Sequence, residues 1–296
     1  MGRVGRVIRK IQWEWVRGGP GRTPRILTVP TANGLLSFSN MDLHNARTLY
    51  VQREWESHLI ARSLDYLKRE GHIGRPGADL LIDVGANVGM ICIAMVLRGF
   101  FREAIAIEPD ETNFALLKRN IEQNGLASRI RAFRCAISDQ SGDVELEIAK
   151  ENFGDHRVRG AHSLERALMS EEARATVRVP ARTLDDLLAK DASVDPARVG
   201  LVWADIQGFE GYMLRGAAAT LSHGAPVLSE VWPYGILRSG MDRDTYTSVA
   251  RSLFKRIVIV DAAANRFEAR DAADLPALFD THRRPEAQLE ILFLRE

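Results

Sequence analysis

Cysteine is almost absent: Cys92 and Cys135 are the only two in 296 residues. Each lies in an apolar stretch that reads as strand or helix. Two buried thiols in a reducing, cytoplasmic setting are therefore expected rather than a disulfide framework. The same count excludes a cysteine-built zinc site. A surplus of one charge is also missing. Lys and Arg total 40 against 39 Asp and Glu, a net +1, so no global field draws the chain to nucleic acid or another polyanion. No apolar run approaches the ~20 residues that span a bilayer; the longest, Val88 to Leu97, falls far short. The first residues lack an apolar core and a small-residue cleavage site, so no secretory signal is expected there.

What is present begins with a local imbalance. Residues 1–25 hold Arg3, Arg6, Arg9, Lys10, Arg17, Arg22 and Arg25 against the single acid Glu14. Val4, Val7, Ile8, Ile11 and Trp15 recur at helical spacing. Two readings stay open: a basic amphipathic helix making peripheral contact with an anionic membrane, or a leader packed against the domain. Gly18-Gly19-Pro20-Gly21 ends that helix. Arg25–Val29 and Leu35–Ser39 then flank Asn33-Gly34 as a hairpin, and Glu54–Glu70 carries a helical apolar period. The Gly71–Gly77 segment separates an N-terminal extension, residues 1–76, from a main domain, residues 77–296.

From residue 79 strands and helices alternate. Strands are expected at 80–84, 104–107, 130–137, 199–204, 225–231, 256–260 and 289–294, with helices at Met90–Leu97, Thr112–Gln123 and Gly211–Leu221. That rhythm implies an α/β fold, a mostly parallel seven-stranded sheet with helices on both faces. Residues 139–198 interrupt it with a strand over Asp143–Ile148, a polar loop, a strand over Thr176–Pro180 and a helix over Leu184–Lys190. Such an insert lies near the carboxyl edge of the sheet, where open α/β folds bind ligands.

The turn after the first of these strands reads Asp83-Val84-Gly85-Ala86-Asn87-Val88-Gly89. A dinucleotide fingerprint, G-x-G-x-x-G, would need glycine at Gly85, Asn87 and Met90, and finds it once. The G-x-G-x-G spacing suited to S-adenosylmethionine finds Gly85 and Gly89, with Asn87 between. Asp83 disfavours a pyrophosphate and suits a cationic amino-acid moiety. Glu108, followed by Pro109, ends the second strand, where a carboxylate can accept bonds from both ribose hydroxyls. Cys135-Ala136-Ile137-Ser138-Asp139 would then lie beside the adenine.

These segments, with Asp205-Ile206-Gln207-Gly208-Phe209-Glu210 and the loop Asn152-Phe153-Gly154-Asp155-His156-Arg157, resemble the FkbM family of methyltransferases over roughly residues 80–232. The resemblance implies a Rossmann-like class I methyltransferase fold, S-adenosylmethionine as cofactor, and O-methylation of sugars or secondary metabolites. It implies cofactor binding by Asp83, Gly85, Asn87, Gly89 and Glu108; Ala86, Pro109, Ala136 and Ile137 join them as neighbours. Two positions depart from the family's usual pattern: Trp203 stands where lysine is frequent, and Gln207 where the first Glu of D-x-E-G-x-E is frequent.

Methyl transfer to an alcohol needs an aligned nucleophile and a proton acceptor. Asp205 at the end of the fourth strand is one candidate, with helix capping as its structural alternative. Glu210 faces either the pocket or the following helix N-terminus. Glu230 is an acid inside an apolar strand, which needs a partner or a shifted pKa. His156 is the remaining base, and Arg157 and Arg159 either bind an anionic acceptor group or are ordinary surface charges. Asp155, His156, Asp205, Glu210 and Glu230 lack metal-ligand spacing, so no metal is expected. No Asn-Pro-Pro-aromatic tetrapeptide follows the fourth strand, which, with the neutral charge, argues against nucleic acid as acceptor. The expected partner is a small-molecule or glycan acceptor. Two alternatives remain: a non-catalytic Rossmann-like binding module and an NAD-dependent oxidoreductase.

Overall fold

The chain opens with α1 (Arg3–Arg17) and a hairpin of β1 (Ile26–Thr31) and β2 (Gly34–Ser39). Its turn holds Gly34 at φ 119°, with Ile93 and Leu97 too close for a Cβ. This is a computed structural model, and it describes residues 3–19, 21–160, 168, 173–190 and 194–296. The rest of the expected polar loop in segment 139–198, together with Pro20 and the first two residues, lies outside the described residues. Helices α2 (Asn45–Gln52) and α3 (Ser57–Arg69) follow the hairpin. Sequence periodicity had suggested only one helix here; α2 is short and ends at Arg53 in the left-handed region.

The alternating part runs β3 (Leu80–Val84), α4 (Met90–Leu97), β4 (Glu103–Ile107), α5 (Glu111–Gln123) and β5 (Ile130–Phe133). The insert supplies β6 (Ala136–Ile137), β7 (Gly142–Ile148), β8 (Arg157–Val158), β9 (Ala175–Arg182) and α6 (Leu184–Lys190). Then come β10 (Val199–Ala204), α7 (Glu210–Gly216), α8 (Ala218–Leu221), β11 (Val227–Val231), α9 (Pro233–Arg238) and α10 (Arg243–Leu253). The chain closes with β12 (Arg256–Asp261), β13 (Arg266–Asp271), α11 (Leu275–Thr281) and β14 (Leu289–Leu294).

The main sheet has the order β13-β12-β14-β11-β10-β3-β4-β5. β10, β11, β3, β4 and β5 pair in parallel, while β14 runs antiparallel to both β11 and β12. From β3 the chain winds outward to β5, then returns to build the other half from β10. The reversal falls between β3 and β10, and a crevice at their carboxyl ends is where such sheets bind ligands. This order, with β14 reversed between β11 and β12 and a second reversed strand, β13, added at the β12 edge, is the Rossmann-like class I methyltransferase fold.

Two sequence expectations are corrected. The sheet has eight strands, not seven, because β13 pairs along the β12 edge. Its residues, Arg266-Phe267-Glu268-Ala269-Arg270-Asp271, are too polar and exposed to show apolar alternation. The third strand is also not continuous. β5 stays in the main sheet, and β6 pairs with β9 in a separate four-stranded sheet of order β6-β9-β7-β8. The break at Arg134 and Cys135 hands the chain from one sheet to the other beside the crevice.

Successive residues of β3 serve opposite layers, as strand geometry requires. Leu81 packs with α3, α4, α5 and the hairpin; Leu80 and Ile82 pack with α6, α7, α10 and α11. Trp13, Leu36, Phe38, Leu49 and Ile60 share the first of these cores, so the N-terminal segments are built onto the sheet's own helix layer. Two buried asparagines fasten them. Asn120 accepts from Ser37 N at 2.7 Å and donates to Ser37 O and Val88 O. Asn33 donates to Met90 O and Trp55 O and accepts from Trp55 N at 2.8 Å.

Candidate active site

The glycine turn reverses sharply because three alternate positions adopt left-handed backbone: Gly85 at φ 85°, Asn87 at 49° and Gly89 at 92°. A Cβ on Gly85 would lie 2.0 Å from Asp205 O, so only glycine lets β3 and β10 close at the switch point. The turn's own N–H groups are already used. Gly85 N and Ala86 N donate to Ile107 O at 2.9 Å, Gly89 N to Ala86 O, and Val88 N to Asn87 Oδ1. Asn87 N donates to Glu108 Oε2 at 2.9 Å. A pyrophosphate needs free N–H groups fanned toward it, and none of these five is free. That removes the dinucleotide reading on geometry as well as on spacing.

Glu108 is buried, and its second oxygen accepts from Asp110 N at 2.9 Å. Each carboxylate oxygen keeps a lone pair beyond these bonds, enough for a diol. Burial pushes its pKa up to about 8. Asp83, also buried, accepts from Cys92 N at 3.0 Å, and burial raises it to about 7 with the Asp205 charge adding to the rise. Both acids border one cavity of about 320 Å³, within the range of small-molecule sites. Gly85, Ala86, Asn87, Pro109, Cys135, Ala136 and Ile137 line it as well. Gly89 does not. It packs against Ile93 and Leu117 at the start of α4, and its lack of a side chain serves packing. Ser138 and Asp139 also lie off the wall, Asp139 being paired with Arg215 at 3.2 Å.

The neighbouring side of the cavity is built by the ends of β10 and β11, with Asp205 N donating to Val84 O at 3.1 Å. Asp205 and Glu230 both line it, bridged by Gln207, whose Nε2 donates to Asp205 Oδ1 at 2.7 Å and Glu230 Oε1 at 3.1 Å. Gln207 reaches both because its backbone is left-handed, φ 54°, followed by Gly208 tight against Gly235. Gln288 donates to Glu230 Oε1 at 3.0 Å. Burial is the main cause raising all these acids; Asp205 beside Glu230 takes the latter up to about 10, and Glu290 rises to about 8. Glu230 and Glu290 are direct neighbours across β11 and β14, a like-charge pairing that favours a shared proton. Glu230 therefore holds a proton at neutral pH, and Asp205 is the better acceptor of the two.

Two sequence candidates are placed away from base chemistry. Glu210 is not on the cavity wall; its Oε1 accepts from Ile206 N and Gly208 N, each at 3.2 Å, bracing the turn that carries Gln207. His156 does line the cavity, but its Nδ1 accepts from Ala149 N at 3.1 Å. The neutral ring then carries its proton on Nε2, 4.0 Å from Asp110 Oδ1, and presents a donor there. Burial lowers its pKa, which keeps the ring neutral. Arg157 and Arg159 are engaged, Arg157 with Asp155 at 2.6 Å and over the Trp232 ring, Arg159 with Glu147 at 2.9 Å. Asp155 also holds Arg174. Among the described residues no group of three or more His, Cys, Asp or Glu is arranged to hold a metal ion.

The loop over the glycine turn is pinned by Phe153 O, which accepts from Asn87 Nδ2 at 3.3 Å and Asn113 Nδ2 at 3.1 Å. A wall segment missed from sequence comes from the extension: His44, Asn45, Trp55 and Glu56 all line the cavity. Glu56 adopts φ 46°, and burial raises its pKa, with the Glu290 charge next. Trp55 falls in the expected helical period over Glu54–Glu70, but neither periodicity nor a motif marks any of the four as part of a site. Gln288 and Glu290 left one signal, an acid inside the apolar run Leu289–Leu294.

The chain belongs to a methyltransferase family. A family model described as the methyltransferase FkbM domain matches residues 83–251, more than half of the chain, and the protein is a member of that FkbM family. Relatives include 31-O-demethyl-FK506 methyltransferase FkbM of Streptomyces tacrolimicus, 38% identical over 74 residues, and methyltransferase sdnD of Sordaria araneosa, 28% over 71. These matches cover 25% and 24% of this chain and 27% of each relative, about a quarter of their length. Among solved structures, the geranyl diphosphate C-methyltransferase of Streptomyces coelicolor A3(2) is 12% identical over 96% of this chain and 88% of its own, with a TM-score of 0.40.

Proposed function

We propose that the protein is an O-methyltransferase that takes its methyl group from S-adenosylmethionine and places it on a hydroxyl of a sugar, glycan or secondary metabolite. The observation that carries this reading is one cavity with differently held acids at its two ends. Glu108 and Asp83 stand at the glycine-turn end, and the Asp205–Gln207–Glu230 bridge at the other. The donor set suits a cation: among the described residues the wall has several carboxylates and no lysine or arginine, and the five N–H groups of the glycine turn are already used.

S-adenosylmethionine supplies an activated methyl on a sulfonium, so the protein's task is alignment and proton handling. Glu108 takes the ribose hydroxyls, Asp83 faces the amino-acid end, and Pro109, Cys135, Ala136 and Ile137 flank the adenine. Asp205 accepts the acceptor's proton. Glu230, protonated, fixes Gln207, which in turn fixes the Asp205 carboxylate.

The test is a screen of hydroxylated acceptors with isotopically labelled methyl donor, followed by fragmentation of the product. Label on an oxygen, absent when the acceptor lacks that hydroxyl, is the expected result. Label on carbon or nitrogen would overturn the O-methyl assignment and leave the family membership intact.

A further inference from the structure

Helix α1 carries its apolar residues on the wrong side for a folded protein. Its inner face holds Trp13, 1% exposed, against the Tyr50 ring, with centroids 5.6 Å apart. Arg9 Nε donates to Val51 O at 2.7 Å, and Asn40 reaches Val16 O and Arg17 O at the helix end. The helix is thus fastened to α2 and the hairpin. At about 100° per residue, Val4, Val7, Ile8, Ile11 and Trp15 fall within roughly 100° of arc, centred opposite Trp13. All five face outward, from 50% exposed at Ile8 to 73% at Val4 and 83% at Trp15.

A contiguous apolar stripe this exposed marks an interaction surface. Its borders say which kind. Lys10 stands exposed beside the stripe, about 60° from its edge at Val7, and within Arg3–Arg17 the only acid is Glu14, paired with Arg17 at 2.5 Å. A basic helix with a large apolar face, one interfacial tryptophan and low mean hydropathy suits the plane of an anionic bilayer, apolar residues among the acyl chains and cations at the headgroups. A second protein copy fits less well, since face-to-face packing of two such helices would bring like charges together.

We propose that α1 docks the protein onto anionic lipid, with Val4, Val7, Ile8, Ile11 and Trp15 inserted and Lys10 at the headgroups. Helix α1 packs on α2 through Trp13 on Tyr50 and Arg9 on Val51 O, and the first residue of α2, Asn45, and the preceding His44 line the cavity. Docking therefore places the cavity on a scaffold anchored to the membrane surface.

The test uses the full chain and flotation with unilamellar vesicles of phosphatidylcholine, with and without phosphatidylglycerol. Binding is expected to the anionic vesicles and to fall as salt rises. Ile8→Asp with Ile11→Asp is expected to weaken it at least tenfold, and Lys10→Glu about fivefold or more. S-adenosylmethionine binding by both variants serves as the check that the domain is folded. Failure of the native chain to float with anionic vesicles would overturn the proposal, as would flotation indifferent to these substitutions. A salt-insensitive dimer that Ile8→Asp with Ile11→Asp converts to monomer, without vesicle binding, would also overturn it and assign the face to a second copy.

Discussion

The two ends of the cavity hold their carboxylates by different means. At the glycine-turn end, Glu108 and Asp83 are fixed by backbone N–H groups of Asn87, Asp110 and Cys92, which move only if the turn moves. At the β10–β11 end, Asp205 and Glu230 are fixed by side chains, Gln207 and Gln288. A backbone-held acid suits an invariant ligand. A side-chain-held pair can exchange a proton and reorient with little cost, which suits the reacting end. Rigidity and proton mobility are thereby separated within one small volume.

Substitutions at the two ends should separate the same way. The largest effect is expected at the reacting end: Asp205→Asn should lower kcat by about 10²- to 10⁴-fold with a much smaller change in donor affinity. Steady-state rates and calorimetry on one preparation check it; equal losses in both would erase the contrast. Next comes Gly85→Ala, which puts a methyl against Asp205 O at a left-handed backbone position and should cost about 3 kcal/mol or more of stability. Thermal unfolding reads this directly, and an unchanged Tm would mean the turn is looser than described. Glu108→Ala should then weaken donor binding about tenfold or more while the fold survives.

The smallest effect is in pH dependence. Glu230 titrates at about 10 in the folded chain, above the ordinary carboxylate range. A raised acid makes the folded state bind the extra proton, so its contribution to stability is full below about pH 4 and is lost as pH rises toward about 10. Glu230→Gln removes that titration and should flatten the alkaline fall in Tm. A variant whose alkaline limb matches the native one would show that Glu230 is not where the proton resides.

The ends also differ in how far the sequence reveals them. Strand–turn–helix alternation and the local string Asp83–Gly89 with Glu108 disclose the first end, because its parts lie within one βαβ unit and its geometry is backbone geometry. Asp205 and Glu230 were visible as acids at strand ends, but their bridge was not. It depends on Gln207 adopting a left-handed conformation and on Gln288 arriving from far along the chain. Glu210 and Glu230 look alike as sequence candidates, yet one turns into the backbone and the other into the cavity. His156 has a suitable intrinsic pKa, but the Ala149 N–H occupies the nitrogen that would accept a proton. Trp55 and Glu56 come from the extension, packed there by Asn33 contacts that no local pattern announces.

An acid-walled site for a sulfonium donor is tested by calorimetric titration of S-adenosylmethionine and S-adenosylhomocysteine across neutral pH in buffers of different ionisation heat. Asp83 at about 7 must shed its proton to face the cationic amino-acid end, and Glu108 at about 8 must shed its own to accept from both ribose hydroxyls. S-adenosylmethionine is expected to bind with net proton release and to tighten as pH rises through those values, more steeply than its uncharged-sulfur product. Binding of NAD in their place, or equal affinities for the two sulfur ligands with no proton release at any pH, would contradict it.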